Sequence, residues 1–172
     1  GFNGDLNIAT TRLDALSQLW RKASENSPLF NVPAELSGQV MLAGDALGFS
    51  HGRLVLNGKE HVLAPRLGFG DEPRLDLVGR FDDLAPGASA ILGAMFPDPN
   101  SDRTFGVSFP EGSFSINSQT IRVLGLEAKD LAAEGSWSGS GLRFSKLASS
   151  DWGGIGLNAS GDLAGTLVKP VL

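Results

Sequence analysis

Apolar and polar residues alternate with a period of two along most of the chain, and glycine-containing turns separate the alternating runs. In one such run Leu36, Gly38, Val40 and Leu42 share a side, and Gly44-Asp45 follows as a turn signal. Successive side chains of a β-strand point to opposite faces, so this period predicts strands with one apolar face. The runs recur about every ten residues, which favours a sheet over alternating strands and helices.

The strongest hairpin signal is Asn57-Gly58, because both residues tolerate the positive φ of a tight turn. The returning strand is predicted from His61 to Phe69, and alternation resumes from Leu75 to Phe81. The second half of the chain shows the same alternating runs separated by turns. We therefore expect a mainly β fold of repeated antiparallel strands that form an open groove, a sandwich or a solenoid-like sheet.

Two segments depart from the strand pattern. Leu13, Leu16, Leu19 and Ala23 recur at intervals of three and four, which predicts an amphipathic helix near residues 12–25. A second set of apolar residues around Ile91 predicts a short helix near residues 83–95. Helices are thus expected as minor elements of the fold.

A polar, proline-rich stretch from Pro97 to Asp102 marks the predicted division of the chain. It separates a first β-rich half, residues 1–96, from a second, residues 97–172, which is a candidate repeat of the first. The two halves are compatible with one packed domain. The chain starts inside an alternating run and stops without a terminating feature, so we expect a segment of a longer protein.

Composition narrows the classes of partner. The 172 residues include 14 Lys plus Arg and 19 Asp plus Glu, a net charge of −5, and contain no basic run. Nucleic acid is therefore excluded as an expected partner, and an anionic membrane surface is disfavoured. The absence of cysteine excludes disulfides and thiolate chemistry, and it fits a cytoplasm and a bacterial periplasm equally.

The residues with catalytic potential form no recognisable motif. His51 and His61 are the only histidines, and no carboxylate stands at metal-ligand spacing from them. The stretch from Asp98 to Asp102 lacks the glycine and the distal glutamate of a calcium loop. We therefore expect no catalytic residue, no cofactor and no metal. A hydrolase, as a third class of function, would need a cleft that brings His51 or His61 close to carboxylates.

The strand sequences share a recurring pattern. It is clearest in Gly-Ser-Phe-Ser-Ile-Asn at residues 112–117, in Ile-Arg-Val-Leu-Gly-Leu-Glu-Ala-Lys-Asp-Leu at 121–131 and in Gly-Ile-Gly-Leu-Asn-Ala-Ser-Gly-Asp-Leu at 154–163. In the first half, the segments Asp5 to Ile8, Leu36 to Val40 and Leu54 to Gly58 agree with it. This pattern resembles that of the AsmA-like family of bacterial envelope proteins.

This resemblance implies a non-enzymatic periplasmic segment of a protein anchored in the inner membrane. Its repeated strands would form an apolar groove involved in lipid transport or in outer-membrane assembly and maintenance. The implied partner is a phospholipid or another acyl-chain ligand. The membrane anchor would lie outside these residues, and self-association through sheet edges is a further expectation.

Ten apolar positions are assigned to the groove lining. They are Leu54, Leu56, Leu75, Leu77, Phe114, Ile116, Val123, Phe144, Ile155 and Leu157. The same alternation also fits a closed core, which is the favoured interpretation for any one of these residues. The alternative function is a β-sandwich or solenoid module that binds carbohydrate or a protein partner, with Trp137 and Trp152 on one outer face as its contact surface.

Overall fold

The computed structural model describes residues 1–13, 32–84, 111–123, 125–138, 141–166 and 169–171. Eleven strands of these residues form a single sheet, which confirms the predicted mainly β fold. The strands are β1 (Phe2–Thr10), β2 (Ala34–Ala43), β3 (Ala46–Leu56), β4 (Lys59–Gly68), β5 (Arg74–Leu84), β6 (Glu111–Val123), β7 (Leu126–Ser138), β8 (Gly141–Ser149), β9 (Asp151–Trp152), β10 (Leu157–Thr166) and β11 (Lys169–Val171).

The strands follow one another across the sheet nearly in chain order. The path runs from β1 through β8 to β10 and β11, and β9 pairs with β7 beside it. All described pairs are antiparallel except β5 with β6, which run parallel from Arg74 opposite Glu111 to Leu84 opposite Ile121. The alternating pattern did not predict this parallel pair. Parallel neighbours need a long connection, and residues 85–110 join these two strands.

Tight turns set the register of the antiparallel hairpins. Asn57 and Gly58 have φ values of 50° and 80° in the turn between β3 and β4, as the sequence predicts. Gly44, with φ of 60°, belongs to the turn that places Ala43 opposite Ala46. Two-residue turns of this kind fix which residues face each other along the whole hairpin.

The two predicted helices fall largely outside the described residues. Only residues 12 and 13 of the segment near 12–25 are described, and the Leu13 amide donates a hydrogen bond to the Val32 carbonyl over 2.9 Å. Asp83 and Leu84 belong to β5, opposite Thr120 and Ile121, so the second helix was wrongly predicted to begin there. The ladder with β6 holds these two residues extended. Residues 85–95 and the predicted division at 96/97 lie outside the described residues.

The hydrophobic core is one cluster that extends from β2 to β8. Phe81 and Ile121 are its most completely buried large side chains, each 1% exposed. A second buried row, Leu84, Ile121 and Ala128, is offset by three residues on each strand from the row Phe81, Ser118 and Leu131, an odd spacing that strict alternation would place on the other face. In β7, Asp130 lies between the two rows with φ of 50°. The cluster comprises Ala34, Leu54, Leu56, Leu63, Leu75, Leu77, Phe81, Leu84, Phe114, Ile116, Ile121, Ala128, Leu131, Ala133 and Leu142.

A β-bulge in β3 preserves the apolar face across an odd interval. Phe49 and Leu54 are five residues apart, yet both are buried. The pairing of β3 with both neighbours shifts register here, and His51 adopts φ of 53°. The extra residue restores the phase that an odd spacing would otherwise invert.

Phe81→Ala tests how much this core contributes to the free energy of unfolding. We expect it to lower the free energy of unfolding by about 3–5 kcal/mol, because truncation removes a buried ring and leaves a cavity. Urea denaturation followed by tryptophan fluorescence measures the change. Val78→Ala, at an exposed position of the same strand, is the matched control and should stay within about 0.5 kcal/mol of the parent. Equal effects of the two substitutions would contradict the assignment of the core.

Candidate functional site

An uninterrupted row of apolar positions crosses the sheet from β1 to β8. Each residue lies opposite the next on the neighbouring strand, in the order Phe2, Leu42, Leu47, Leu67, Leu75, Gly112, Trp137 and Leu142. The glycine does not interrupt the row, since the Trp137 ring occupies the space where a side chain at Gly112 would stand. We call this line of positions the apolar row.

An aromatic cluster lies beside the apolar row on β6, β7 and β8. The Phe114 ring meets the Phe144 ring edge-on at 5.6 Å between centroids and stacks with Trp137 at 6.4 Å. Gly135 leaves room for the Phe114 ring, because a Cβ there would lie 2.6 Å from a ring carbon. This face of the sheet thus offers aliphatic and aromatic carbon with few polar groups.

The predicted lining residues differ in their burial and in their position relative to the strands. Leu54, Leu56, Leu75, Leu77, Phe114 and Ile116 are buried members of the core. Phe144 and Leu157 are partly buried, and Val123 ends β6. Ile155 lies between β9 and β10 rather than in a strand and is 69% exposed.

Several members of the apolar row were missed by sequence reasoning. Leu42 and Leu47 face each other because the turn at Gly44-Asp45 fixes their register. The same signal was available in the sequence, since a two-residue turn determines every pair of its hairpin. Phe2 could not be found in this way, because its strand is separated from β2 by residues 11–33 and not by a two-residue turn.

Exposure changes along the apolar face. On the middle strands the side chains of this face are buried, whereas Phe2, Leu6 and Leu42 at the β1–β2 end are exposed. We call these three residues the apolar margin. Their carbon surface continues directly into the buried row, so the margin is the part of this face that a ligand reaches first.

The opposite face of the sheet carries charged and polar side chains among smaller apolar ones. A second row on it runs through Asn7, Ser37, Arg53, Val62, Arg80, Asn117, Ala132 and Ala148. Exposed ion pairs join neighbouring strands, including Arg53 with Glu60 and, at 2.7 Å, Arg143 with Asp162. Such pairs contribute little stability each and keep this face in water.

A shallow pocket of about 360 Å³ beside the β3 bulge contains both histidines. Its lining also includes two carboxylates, Glu60 and Asp82, so it meets the simplest condition stated above for a hydrolase cleft. Glu60 is ion-paired with Arg53, which lowers the pKa of that carboxyl. Among the described residues neither histidine hydrogen-bonds a carboxylate, and no group of three or more potential ligands could hold a metal.

His61 is a core residue rather than an accessible base. It is 5% exposed, and its ring packs against Phe81 with centroids 5.4 Å apart. Its Nδ1 atom is buried without a hydrogen bond. Burial lowers the pKa of the imidazole, and the nearby Asp82 carboxylate opposes this shift in part.

Trp137 and Trp152, the two tryptophans that the structure describes, do not form an outer contact face. Trp137 and Trp152 are partly buried, and both pack against the core cluster. Trp20 lies outside the described residues. Stacking on a sugar ring needs an exposed aromatic face, so this arrangement does not favour carbohydrate binding.

Comparison of the chain with protein-family models, with curated proteins and with solved structures found no match. The AsmA-like resemblance therefore stays a prediction. In the described part of the chain no helix is long and apolar enough to cross a membrane.

The burial of His61 predicts a stability that depends on pH. The unfolded chain binds a proton near the ordinary pKa of 6.5, whereas the folded chain resists it, so the free energy of unfolding should fall as pH drops below about 6.5. Urea denaturation at several pH values between about 5 and 8 measures the slope. His61→Leu should flatten it.

His51→Asn is the control for this experiment. His51 is exposed at a positive φ that asparagine tolerates, so the substitution removes a histidine without straining the bulge. It should retain the parent's slope. An unchanged slope in His61→Leu would mean that other groups cause the pH dependence.

Proposed function

We propose that this sheet holds acyl chains of lipid along its apolar face, as a non-enzymatic segment of an AsmA-like envelope protein. The observation that carries the proposal is the apolar row, which starts at exposed side chains and continues without a polar residue to β8. A ligand for such a surface must be long and apolar and needs no directional polar contact.

The dimensions support an acyl chain as the ligand. At about 4.8 Å per strand, the seven steps of the row span about 34 Å. One leaflet of a bilayer has a hydrocarbon depth of about 15 Å, half of the roughly 30 Å core. The row is therefore longer than the acyl chain of a typical membrane lipid.

The difference between the two faces supports the same proposal. Ionic and polar side chains dominate one face, whereas the other carries the row and the exposed margin. The ionic face also exposes Met41, Val62 and Val78, but each lies in a row that charged residues interrupt, so the unbroken apolar path is on the other face. Since alternation lets neighbouring strands extend the same apolar surface, further strands in a longer protein would lengthen the path for a lipid.

Leu42→Asp and Met41→Asp form a matched pair that tests lipid binding. The two residues are neighbours on β2 and point to opposite faces, with Leu42 40% and Met41 60% exposed. Both carboxylates can reach water, so both variants are expected to fold. Leu42→Asp should weaken binding of a fluorescent fatty acid about 10- to 100-fold, because the acyl chain would lose its contact with leucine and would have to remove a carboxylate from water.

Met41→Asp should bind the fatty acid like the parent. Native mass spectrometry of the three proteins provides a second readout, with co-purified phospholipid expected on the parent and on Met41→Asp alone. Circular dichroism checks that each variant is folded. A parent protein that neither carries phospholipid nor binds the fatty acid would contradict the proposal, as would equal losses in both variants.

The periplasmic location is a separate part of the proposal and has its own test. In cells that make the full-length protein, a protease added from outside should digest this segment once the outer membrane is permeabilised. The same treatment should leave a cytoplasmic marker intact. Protection of the segment until the inner membrane is lysed would place it in the cytoplasm.

A further inference from the structure

The turn between β3 and β4 combines an exposed asparagine with a glycine that directly follows it. Asn57 and Gly58 are both exposed, and their φ values of 50° and 80° are positive at both positions, as in a type I′ turn. Asparagine is among the thermolabile residues of proteins. Its side-chain amide is lost when the backbone nitrogen of the next residue attacks it, and glycine hinders this attack least. The turn therefore presents the dipeptide in which the reaction meets the least steric resistance.

Both reacting groups of this dipeptide are accessible. Among the described residues the Asn57 side chain makes no hydrogen bond, and neither does the Gly58 amide nitrogen. A Cβ at Gly58 would meet no other atom within 4 Å, so the space around the turn is open. The backbone amide of Asn57 donates a hydrogen bond to the Pro33 carbonyl over 3.0 Å. This bond holds Asn57 in place while the peptide unit that follows it is free to rotate.

Rotation of that single peptide unit brings the attacking nitrogen beside the side chain. The attack produces a five-membered succinimide ring, which needs the Gly58 nitrogen on the same side of the Asn57 Cα–C bond as Cβ. A type II′ turn has this orientation and needs positive φ at its first central residue only. Types I′ and II′ both join two strands through two residues. Asn57 already has positive φ, and glycine tolerates the φ that the rotation imposes on Gly58.

We propose that Asn57 deamidates in the folded protein through a succinimide formed within the β3–β4 turn. The Gly58 nitrogen forms a bond to the Asn57 Cγ, the bond from Cγ to Nδ2 breaks, and Nδ2 takes up the proton and leaves as ammonia. Water then opens the ring at one of its two carbonyl carbons and yields aspartate or isoaspartate. Water is the only co-reactant. The reaction is independent of lipid binding.

A second Asn-Gly pair, Asn3-Gly4, lies in a setting that disfavours the reaction. Both residues belong to the β1–β2 ladder, where Asn3 lies opposite Met41 and Gly4 opposite Val40. Rotation of their peptide unit would break the extended conformation of the strand. The Phe2 ring also lies against Gly4, 2.8 Å from where a Cβ would stand. The same dipeptide is thus present once in a turn and once in a ladder, which supplies an internal control.

The isoaspartate product would alter the turn that sets the β3–β4 register. Isoaspartate routes the backbone through the former side chain, so the connection gains a backbone atom. Leu56, directly before the turn, is 4% exposed and lies opposite Lys59. A longer connection no longer fits the two-residue geometry that holds this pair. We therefore expect the isoaspartate form to be less stable than the parent. The aspartate form should match the parent, because Asp-Gly also suits a type I′ turn.

Peptide mapping of the intact, folded chain tests the proposal. After incubation in mildly alkaline buffer, trypsin releases residues 54–59 and residues 1–12 as separate peptides, because it cleaves after Arg12, Arg53 and Lys59. The 54–59 peptide should show the mass increase of deamidation, whereas the 1–12 peptide should stay unmodified over the same period. A digest of protein that was not incubated corrects for reaction during digestion. Electron-transfer fragmentation locates the modified residue and distinguishes aspartate from isoaspartate.

Incubation in urea is the control for the effect of the fold. The two Asn-Gly pairs should then react at similar rates, because the unfolded chain holds both as the same dipeptide. Reaction of the folded protein through global unfolding would likewise modify both pairs equally. The proposal would be overturned if the folded protein modifies the 1–12 peptide as fast as the 54–59 peptide. It would also be overturned if the 54–59 peptide stays unmodified for as long as the urea sample needs to react completely.

Asn57→Asp separates the effect of the added charge from the effect of the longer backbone. Freshly purified Asn57→Asp should keep the melting temperature of the parent, whereas the isoaspartate form, separated by ion-exchange chromatography, should melt at a lower temperature. Circular dichroism measures both. An isoaspartate form that melts with the parent would contradict the expected effect on the turn.

Discussion

The phase of the side-chain alternation across neighbouring strands is the constraint on which this structure depends. A single-residue slip in any hairpin would turn the apolar side chains of that strand into water and bring polar ones into the core. Two-residue turns hold the phase between β2 and β3 and between β3 and β4. Where two residues of the same face are an odd number of positions apart, as Phe144 and Leu147 are in β8, an extra residue in the strand restores the alternation.

Burial on one face supplies most of the stability, and the polar face adds little. Hydrophobic transfer contributes about 25 cal/mol for each Å² removed from water, whereas exposed ion pairs contribute about 0–1 kcal/mol each. The exposed pairs such as Arg53 with Glu60 therefore serve solubility and strand register more than folding energy. Exposing the apolar margin has a cost in stability, which a bound acyl chain would offset under the proposed function.

Local turn chemistry made much of the fold predictable from the sequence. The hairpins at Gly44-Asp45 and Asn57-Gly58 follow from residues that accept positive φ. The parallel pairing of β5 with β6 could not be predicted, because no short-range signal marks a contact between strands that are joined through 26 intervening residues, 85–110. The sequence also did not predict which residues of the apolar face are exposed. Leu42 and Leu54 both lie on the apolar side of an alternating run, yet Leu42 is exposed and Leu54 is buried.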